Sequence, residues 1–342
     1  MNERIAFFSA KPYDAASFDR ANRDFGFDIR YLETPLNAES AVLARGAPAV
    51  CAFVNDSVGA DVLGRLAESG VGLVALRSAG FNNVDLGAAD GLVKIARVPA
   101  YSPHAVAEHT LALMLTLNRK THKAYSRTRD GNFALHGLMG FDMNGKTAGI
   151  IGTGKIAKIL AATLRAMGME ILAYDIFPDK KFAERHGVKY VALDELYAKS
   201  DIISLHCPLT KDTLHMIDAA AISKMKDGVM IINTSRGKLI DTRALIGGLK
   251  GKKIGSAGLD VYEEEGAYFY EDLSDRVMDD DTLARLLSFS NVVVTSHQAF
   301  FTREALDNIA QTTLQNVRDF LDKKPLANEV RAPDAAHGKA DS

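Results

Sequence analysis

Short apolar runs alternate with amphipathic stretches along most of the chain. The strand-like runs are found at 5–8, 49–54, 72–76 and 94–98, and then at 147–151, 170–174, 202–206, 229–233, 254–259 and 292–295. Helical patterns lie between them, the first at about 15–24 and 58–68. Alternation of this kind is typical of βαβ units, in which helices connect the strands of a parallel sheet. The pattern therefore predicts an α/β fold with two sets of strands.

Pro99 and Pro103 interrupt this pattern, and a long helix is predicted after them, from about 105 to 127. A last helix is predicted from about 302 to 321, with no strand after it. If that helix packs on the first set of strands, the first domain is discontinuous. The polar, alanine-rich segment 331–342 is predicted to be disordered.

Composition argues against several classes of function. The 41 Lys and Arg residues nearly balance the 43 Asp and Glu residues, so nothing favours a nucleic-acid partner. Cys51 and Cys207 lack the spacing of metal ligands, so neither a disulfide nor a metal site is predicted. No signal-peptide pattern and no membrane-spanning apolar run is found, so a cytoplasmic protein without a membrane partner is expected.

A glycine-rich loop stands between a strand and a helix of the second set. Gly152, Gly154 and Ala157 form the pattern G-x-G-x-x-A. Small residues here permit a tight turn and close approach of a pyrophosphate, while N–H groups at the helix start face the phosphates. Asp175 ends the next strand-like run, about 20 residues on, where a carboxylate accepts hydrogen bonds from a ribose 2′-OH and repels a 2′-phosphate. We therefore predict an NAD site that prefers NAD to NADP.

Polar side chains follow the other strands of the second set, and in an open parallel sheet such positions share one edge. They include Arg236, His297 and the acidic run 263–265. Arginine offers a planar fork of donors to a carboxylate, and histidine exchanges a proton near neutral pH. A carboxylate beside the histidine would raise its pKa and fix its orientation. This set suits hydride transfer between a nicotinamide and a small 2-keto or 2-hydroxy acid, although spacing alone does not choose among the three glutamates.

Several motifs match one protein family in the same order, over nearly the whole chain up to about Val330. They are LRSAGFNNVD at 76–85, VPAYSP at 98–103, GTGKIA at 152–157, SLHCPLT at 204–210, NTSRG at 233–237, GLDVYE at 258–263 and SHQAF at 296–300. On these motifs the chain resembles the D-isomer-specific 2-hydroxyacid dehydrogenases, and among them it is most similar to the fermentative D-lactate dehydrogenases. It departs from the glycine fingerprint only at Ala157, which the fingerprint tolerates.

The resemblance implies a role for each matching residue. Arg236 would bind the substrate carboxylate and His297 would be the acid/base, with Glu265 as its carboxylate partner. The resemblance implies cofactor contacts in the glycine loop and at the following strand ends. With the two loop glycines included, they are Gly152, Gly154, Lys155, Ile156, Asp175, Cys207, Pro208, Thr234, Ser235, Arg236 and Asp260. The substrate contacts implied are Ala79 and Gly80 through backbone amides, Tyr101, Arg236 and His297.

The resemblance also implies two Rossmann-like or flavodoxin-like parallel-sheet domains with a cleft between them. The substrate domain would be 1–100 plus 300–330, and the NAD-binding Rossmann domain would be 101–299. Relatives form dimers or tetramers through the nucleotide domain, so a homodimer or homotetramer is expected.

The reaction implied is the reduction of pyruvate to D-lactate. Two alternatives stay open. The same chemistry could act on hydroxypyruvate, glyoxylate or a branched 2-keto acid. A non-enzymatic NAD-sensing scaffold, of the kind used by transcriptional corepressors built on this fold, is the other.

Overall fold

The computed structural model describes residues 3–332, and these divide into two compact units. The first unit runs up to Ser102 and resumes at Phe301, and the second unit comprises Pro103–Phe300. Most of the segment predicted to be disordered, from 333 onward, lies outside the described residues.

The elements follow one another as strands and helices in close alternation. The strands are β1 (Arg4–Phe7), β2 (Asp28–Tyr31), β3 (Ala49–Ala52), β4 (Leu73–Leu76), β5 (Lys94–Ala96), β6 (Thr147–Ile151), β7 (Glu170–Tyr174), β8 (Val188–Tyr190), β9 (Ile202–Leu205), β10 (Val229–Asn233), β11 (Ile254–Leu259), β12 (Val292–Val294) and β13 (Glu329–Val330). The α-helices are α1 (Pro12–Asn22), α2 (Ala60–Glu68), α3 (Leu86–Ala89), α4 (Pro103–Arg119), α5 (Thr121–Arg129), α6 (Lys155–Ala166), α7 (Lys180–His186), α8 (Leu193–Lys199), α9 (Ala219–Lys224), α10 (Thr242–Lys250), α11 (Asp281–Ser288) and α12 (Arg303–Leu321). Short 3-10 helices lie at Ser40–Ala44, Gly237–Leu239 and Glu265–Ala267.

The first unit is built on a six-stranded sheet in the order β13-β5-β4-β3-β1-β2. The five strands from the first hundred residues are parallel, and their order is that of flavodoxin-like sheets. The last strand, β13, pairs antiparallel with β5, with Val330 opposite Ile95. The prediction that no strand follows the last helix was therefore wrong, because two residues are too short to produce a readable pattern.

The second unit is built on a seven-stranded, fully parallel sheet in the order β12-β11-β10-β9-β6-β7-β8. The six strands that come first along the chain, β6 to β11, have the strand order of doubly wound dinucleotide-binding domains, and β12 is added beside β11. Both faces are buried: Ile203 and Ile231 belong to the core on one face, and Ile202 and Ile232 to the core on the other. Such two-sided burial explains why these strands read as continuous apolar runs. The predicted α/β class with two parallel-sheet domains is confirmed.

The helix predicted from 105 to 127 is interrupted, and that prediction was wrong. Lys120 has a left-handed backbone (φ 50°), which ends α4 and starts α5 in a new direction. The end of α4 is tied to a returning segment, since the Asn118 side chain donates to the Phe141 carbonyl at 2.8 Å and accepts from its N–H at 2.8 Å. This contact across 23 residues leaves no signal in local periodicity.

Candidate active site

The strands of the second unit end in register at one edge of the sheet. Ile151 pairs with Leu205, Leu205 with Asn233, Asn233 with Leu259, and Leu259 with Val294. The loops that follow therefore begin at the same level. The neighbours β6 and β9 are not consecutive along the chain, which makes this the point where the strand order reverses and where ligands bind in such sheets.

The glycine loop after β6 passes close to the loop after β9. Gly152 has φ +86°, and a Cβ there would lie 2.6 Å from the backbone nitrogen of Cys207, so the position tolerates no side chain. Gly154 is the N-cap of α6, and a Cβ there would meet no atom within 4 Å, so the space before the helix start is open. Lys155 and Ile156 begin the helix, with N–H groups free of intrahelical partners.

Asp175 lies directly after β7 and is held by the glycine loop. Its Oδ2 accepts from the N–H and the hydroxyl of Thr153, at 2.5 and 2.7 Å, and its Oδ1 accepts from the Phe177 N–H at 2.8 Å. Burial works to raise the pKa of Asp175, but the hydrogen bonds from Phe177 and Thr153 outweigh it and the pKa is lowered. A fixed negative charge thus stands beside the loop that would hold a pyrophosphate.

The loops after β9 and β10 are bound to each other. The Ser235 hydroxyl donates to the Cys207 carbonyl at 2.8 Å, and the Thr234 and Thr110 hydroxyls are 2.8 Å apart. Burial raises the pKa of Cys207 to about 11, so this residue is a neutral thiol at physiological pH. Pro208 follows it and is exposed. These predicted cofactor contacts therefore form one connected wall of the edge.

Arg236 stands in a loop whose backbone shape is fixed. The Asn233 side chain donates to the Arg236 carbonyl at 2.9 Å and accepts from the Ser235 N–H at 3.0 Å. Gly237 allows Tyr262 to pack against the loop, since a Cβ there would lie 2.1 Å from the Tyr262 carbonyl. The guanidinium is partly buried and uses Nη1 to donate to the Ser235 carbonyl at 2.8 Å. Its other N–H groups leave capacity for a planar carboxylate.

His297 and Glu265 form a histidine–carboxylate pair at the same edge. His297 Nδ1 lies 2.7 Å from Glu265 Oε1, and both side chains are about three-quarters buried, with 22% and 25% exposed. The other carboxylate oxygen accepts from the Tyr262 N–H at 3.0 Å, which fixes the Glu265 side chain. His297 itself has a left-handed backbone (φ 53°), a conformation that costs energy for any residue except glycine.

The other two glutamates of the acidic run are not placed against His297. Glu263 pairs instead with His215, at 2.6 Å from Nε2, and also accepts from the Thr242 N–H at 2.8 Å. Glu264 is exposed. Of the three candidates that spacing left open, the structure brings Glu265 to His297.

Asp260 is completely buried and holds the loop that carries His297. Its Oδ1 accepts from the Thr295 hydroxyl at 2.6 Å and the Gln298 N–H at 2.9 Å, and its Oδ2 accepts from the Ala299 N–H at 2.9 Å. The His297 N–H donates to the Asp260 carbonyl at 2.7 Å. Asp260 is a predicted cofactor contact, but its side chain forms its hydrogen bonds with the loop that carries His297.

His109, on α4, joins this cluster and was not predicted from the sequence. Its Nε2 lies 3.1 Å from Thr295 Oγ1 and 3.4 Å from Asp260 Oδ1. Burial works to raise the pKa of Asp260, but hydrogen bonds from His109, Thr295 and the backbone of Ala299 and Gln298 lower it overall. A histidine within an apolar helix gives no sequence signal of a partner so far along the chain.

The substrate contacts predicted at Ala79, Gly80 and Tyr101 belong to the first unit. The loop after β4 is shaped by its own unit, because Arg97 donates to the Ala79 carbonyl at 2.9 Å and the Ser78 hydroxyl donates to the Gly80 carbonyl at 2.8 Å. The Tyr101 carbonyl accepts from the Asn308 side chain at 2.7 Å. The carbonyl groups of Ala79, Gly80 and Tyr101 therefore all accept hydrogen bonds from residues of the first unit.

The edge of the second unit fits a dinucleotide. A pyrophosphate requires a tight turn without a side chain, as at Gly152, and open space at the start of a helix, as at α6. A ribose requires a fixed acceptor such as the Asp175 carboxylate. Among residues 3–332, no group of three or more His, Cys, Asp and Glu side chains is arranged to hold a metal ion. No helix described here is both long and apolar enough to cross a membrane.

Comparison with known proteins agrees with this geometry. Residues 111–299 match the family described as D-isomer specific 2-hydroxyacid dehydrogenase, NAD binding domain. The chain is 53% identical to 2-hydroxyacid dehydrogenase homolog 1 of Schizosaccharomyces pombe over 319 residues, covering 93% of this chain and 96% of the relative. It is 51% identical to D-lactate dehydrogenase of Escherichia coli over 328 residues, covering 96% and 99%.

A solved structure agrees over the same length. The structure described as the pyruvate reductase of Chlamydomonas reinhardtii matches with a TM-score of 0.91 and 44% identity, covering 96% of this chain and 98% of that one. The resemblance found in the motifs is confirmed by these relatives, and the NAD cofactor by the family match. The chain therefore belongs to the D-isomer-specific 2-hydroxyacid dehydrogenases and is an NAD-dependent oxidoreductase.

Proposed function

We propose that this chain is a D-lactate dehydrogenase that reduces pyruvate to D-lactate, with His297 as the acid/base. The observation that carries the proposal is the His297–Glu265 pair, 2.7 Å apart, on the sheet edge that also holds Arg236 and the glycine loop. Relatives named D-lactate dehydrogenase and pyruvate reductase, similar over almost the whole chain, support this choice of substrate.

In this proposal, Nε2 of His297 is the atom that exchanges the proton, and the contact of Nδ1 with Glu265 supports this choice. A carboxylate can only accept, so Nδ1 carries a hydrogen toward Glu265 and Nε2 is the nitrogen that exchanges a proton. In pyruvate reduction, Nε2 donates that proton to the carbonyl oxygen while Glu265 stabilises the imidazolium that precedes the transfer. The bound reduced nicotinamide supplies the hydride.

Arg236 takes the substrate carboxylate in this proposal. Its guanidinium is partly buried, which strengthens a charge-assisted hydrogen bond relative to one in open water. The backbone amides of Ala79 and Gly80 and the side chain of Tyr101 are proposed as further substrate contacts, on the family resemblance.

The test compares two histidines, His297 and His215, which each pair with a glutamate at nearly the same distance. We expect His297→Gln to lower kcat for pyruvate about 10²- to 10⁴-fold while the Kd for NADH changes little, because general acid catalysis is lost but the glycine loop is not touched. His215→Gln is the matched control, since it breaks the His215–Glu263 pair of 2.6 Å. Equal turnover in wild type and His297→Gln would refute the acid/base assignment.

The substrate is tested on a panel of keto acids. Steady-state rates with pyruvate, hydroxypyruvate, glyoxylate and 2-ketoisocaproate, with chiral analysis of the product, should rank pyruvate first and yield the D-isomer. A higher kcat/KM for another acid would move the enzyme to that substrate. NADH binding without turnover of any of them would favour the NAD-sensing scaffold instead.

We further propose a homodimer or homotetramer that uses the segment between α5 and β6. Phe133, Leu135 and Met139 in this segment are 77%, 83% and 86% exposed, an unusual concentration of apolar surface. A second copy of the chain is the proposed occupant, because the family resemblance implies a homo-oligomer. Light scattering after gel filtration should give at least a dimer for the wild type and a smaller species for Leu135→Glu with Met139→Glu, and a monomeric wild type would contradict the proposal.

A cytoplasmic location is also proposed. Cys51 and Cys207 are both free and buried, as is usual in a reducing compartment. Cell fractionation followed by detection of the native chain tests this location.

A further inference from the structure

A lysine–aspartate pair stands beside the ribose end of the cofactor edge. Lys158 is on the first turn of α6, and Asp179 is the N-cap of α7, shortly after β7. Lys158 Nζ lies 2.5 Å from Asp179 Oδ2, and the side chains are 36% and 38% exposed. The ammonium also stands over the Phe182 ring, 5.5 Å from its centroid. The ammonium of Lys158 therefore has two partners, the Asp179 carboxylate and the Phe182 ring.

This pair is linked to Asp175 by a continuous chain of hydrogen bonds. The Asp179 N–H donates to the Tyr190 hydroxyl at 3.1 Å, and that hydroxyl donates to Thr153 Oγ1 at 2.9 Å. Thr153 in turn donates to Asp175 Oδ2 at 2.7 Å. The positive charge of Lys158 also contributes to the lowered pKa of Asp175. The charges of Lys158, Asp179 and Asp175 are thus connected in one network through Tyr190 and Thr153.

The two nicotinamide cofactors differ by a group that this unit would meet. NADPH carries a 2′-phosphate, a dianion near neutral pH, where NADH has a hydroxyl. A lysine ammonium is a good phosphate partner as a point charge. Lys158 would be such a partner, but its charge is already neutralised by Asp179.

We propose that Asp179 is a second determinant of the preference for NAD, acting by keeping Lys158 from a 2′-phosphate. Asp175 repels the phosphate directly, and Asp179 withholds a cation that would attract it. This inference rests on the proposed function of an NAD-dependent dehydrogenase and on the prediction, made from the glycine fingerprint, that Asp175 binds the ribose of the cofactor. It extends that assignment to two residues that no motif singled out.

The experiment measures cofactor binding without any substrate. Fluorescence titrations with NADH and NADPH are made at low ionic strength on the wild type, Asp175→Ala, Asp179→Asn and the double variant. Asparagine keeps an acceptor for the Phe182 N–H, which Asp179 Oδ1 now receives at 3.0 Å, so the cap of α7 is retained. Asp194→Asn is the matched control, since it removes the surface pair of Asp194 with Lys224 at 2.7 Å.

The expected result is a gain that depends on Lys158. In the Asp175→Ala background, Asp179→Asn should tighten NADPH binding about tenfold, the size of one partly exposed ion pair with a phosphate. The gain should exceed any change for NADH, should shrink at high salt, and should vanish when Lys158→Met is added. Asp194→Asn should leave the NADPH-to-NADH ratio of the Asp175→Ala protein unchanged.

Each failure has a distinct meaning. If Asp179→Asn gives no gain, or if the gain survives Lys158→Met, the role of Asp179 is refuted while the ribose assignment stands. If Asp175→Ala leaves the ratio of NADPH to NADH affinity unchanged, the ribose assignment is wrong and the inference falls with it. Lack of turnover on keto acids would refute the proposed reaction without affecting either binding result.

Discussion

Replacing Asp260 by asparagine tests whether a buried carboxylate holds the loop that carries His297. The wild-type carboxylate is 0% exposed and accepts from the Thr295 hydroxyl and from the N–H groups of Gln298 and Ala299. Asparagine has nearly the same shape but only one acceptor oxygen. If that oxygen stays on Thr295 and Gln298, the new NH₂ group faces the Ala299 N–H, donor against donor.

The cost follows from these contacts. One charge-assisted hydrogen bond is lost and one buried N–H is left without a partner, which together destabilise by about 3–4 kcal/mol. For a unit of this size, that corresponds to a fall in Tm of about 10 °C. Because hydrogen bonds lower the pKa of folded Asp260, its contribution is present above the unfolded pKa of about 3.9 and is lost as pH falls through the folded value. The difference between wild type and variant should therefore be complete at pH 7 and shrink below about pH 4.

Calorimetry at several pH values measures this difference, and hydrogen exchange of the segment 295–299 locates it. Asp218→Asn is the control: Asp218 is exposed and caps α9 through the Ala221 N–H at 2.7 Å, and asparagine caps about as well, so its Tm should stay within about 1–2 °C of wild type. A Tm of Asp260→Asn as high as that of the control would refute the reasoning.

Three further predictions concern ligand binding. Arg236→Lys should lower kcat/KM for pyruvate about 10- to 100-fold in steady-state assays, because a lysine cannot present two parallel donors; a loss below twofold would argue against the carboxylate role. Gly152→Ala should lower both Tm and NADH affinity, since its Cβ would lie 2.6 Å from the Cys207 nitrogen at φ +86°. Gly154→Ala should change stability by less than about 1 kcal/mol while weakening NADH binding in a fluorescence titration, because its Cβ meets open space that only a pyrophosphate would fill; NADH affinity equal to wild type would contradict this.

Local patterns carried much of the fold. The buried strands β6, β7, β10 and β11 were predicted with their observed bounds, because strands covered on both faces read as unbroken apolar runs. The strands β2 and β8 were missed. Each is the edge strand of its sheet, and the three or four residues of each include charged ones. A short edge strand forms because it pairs with the neighbouring strand, and its own amino-acid composition contributes little.

The candidate site divides in the same way. The glycine loop, Asp175 and the shared edge of Arg236 and His297 followed from sequence, because a fingerprint and a strand end are local features and parallel strands bring their ends together.

Tertiary structure alone decided which groups meet. Glu263 and Glu265 lie two residues apart, yet one pairs with His215 and the other with His297, according to how the loop turns. His109 reaches Thr295 across 186 residues of chain. A sequence encodes its periodicity within a few residues, whereas distances across the chain exist only after packing has set them. At this site those distances determine which carboxylate pairs with His297 and which side chains support the His297 loop.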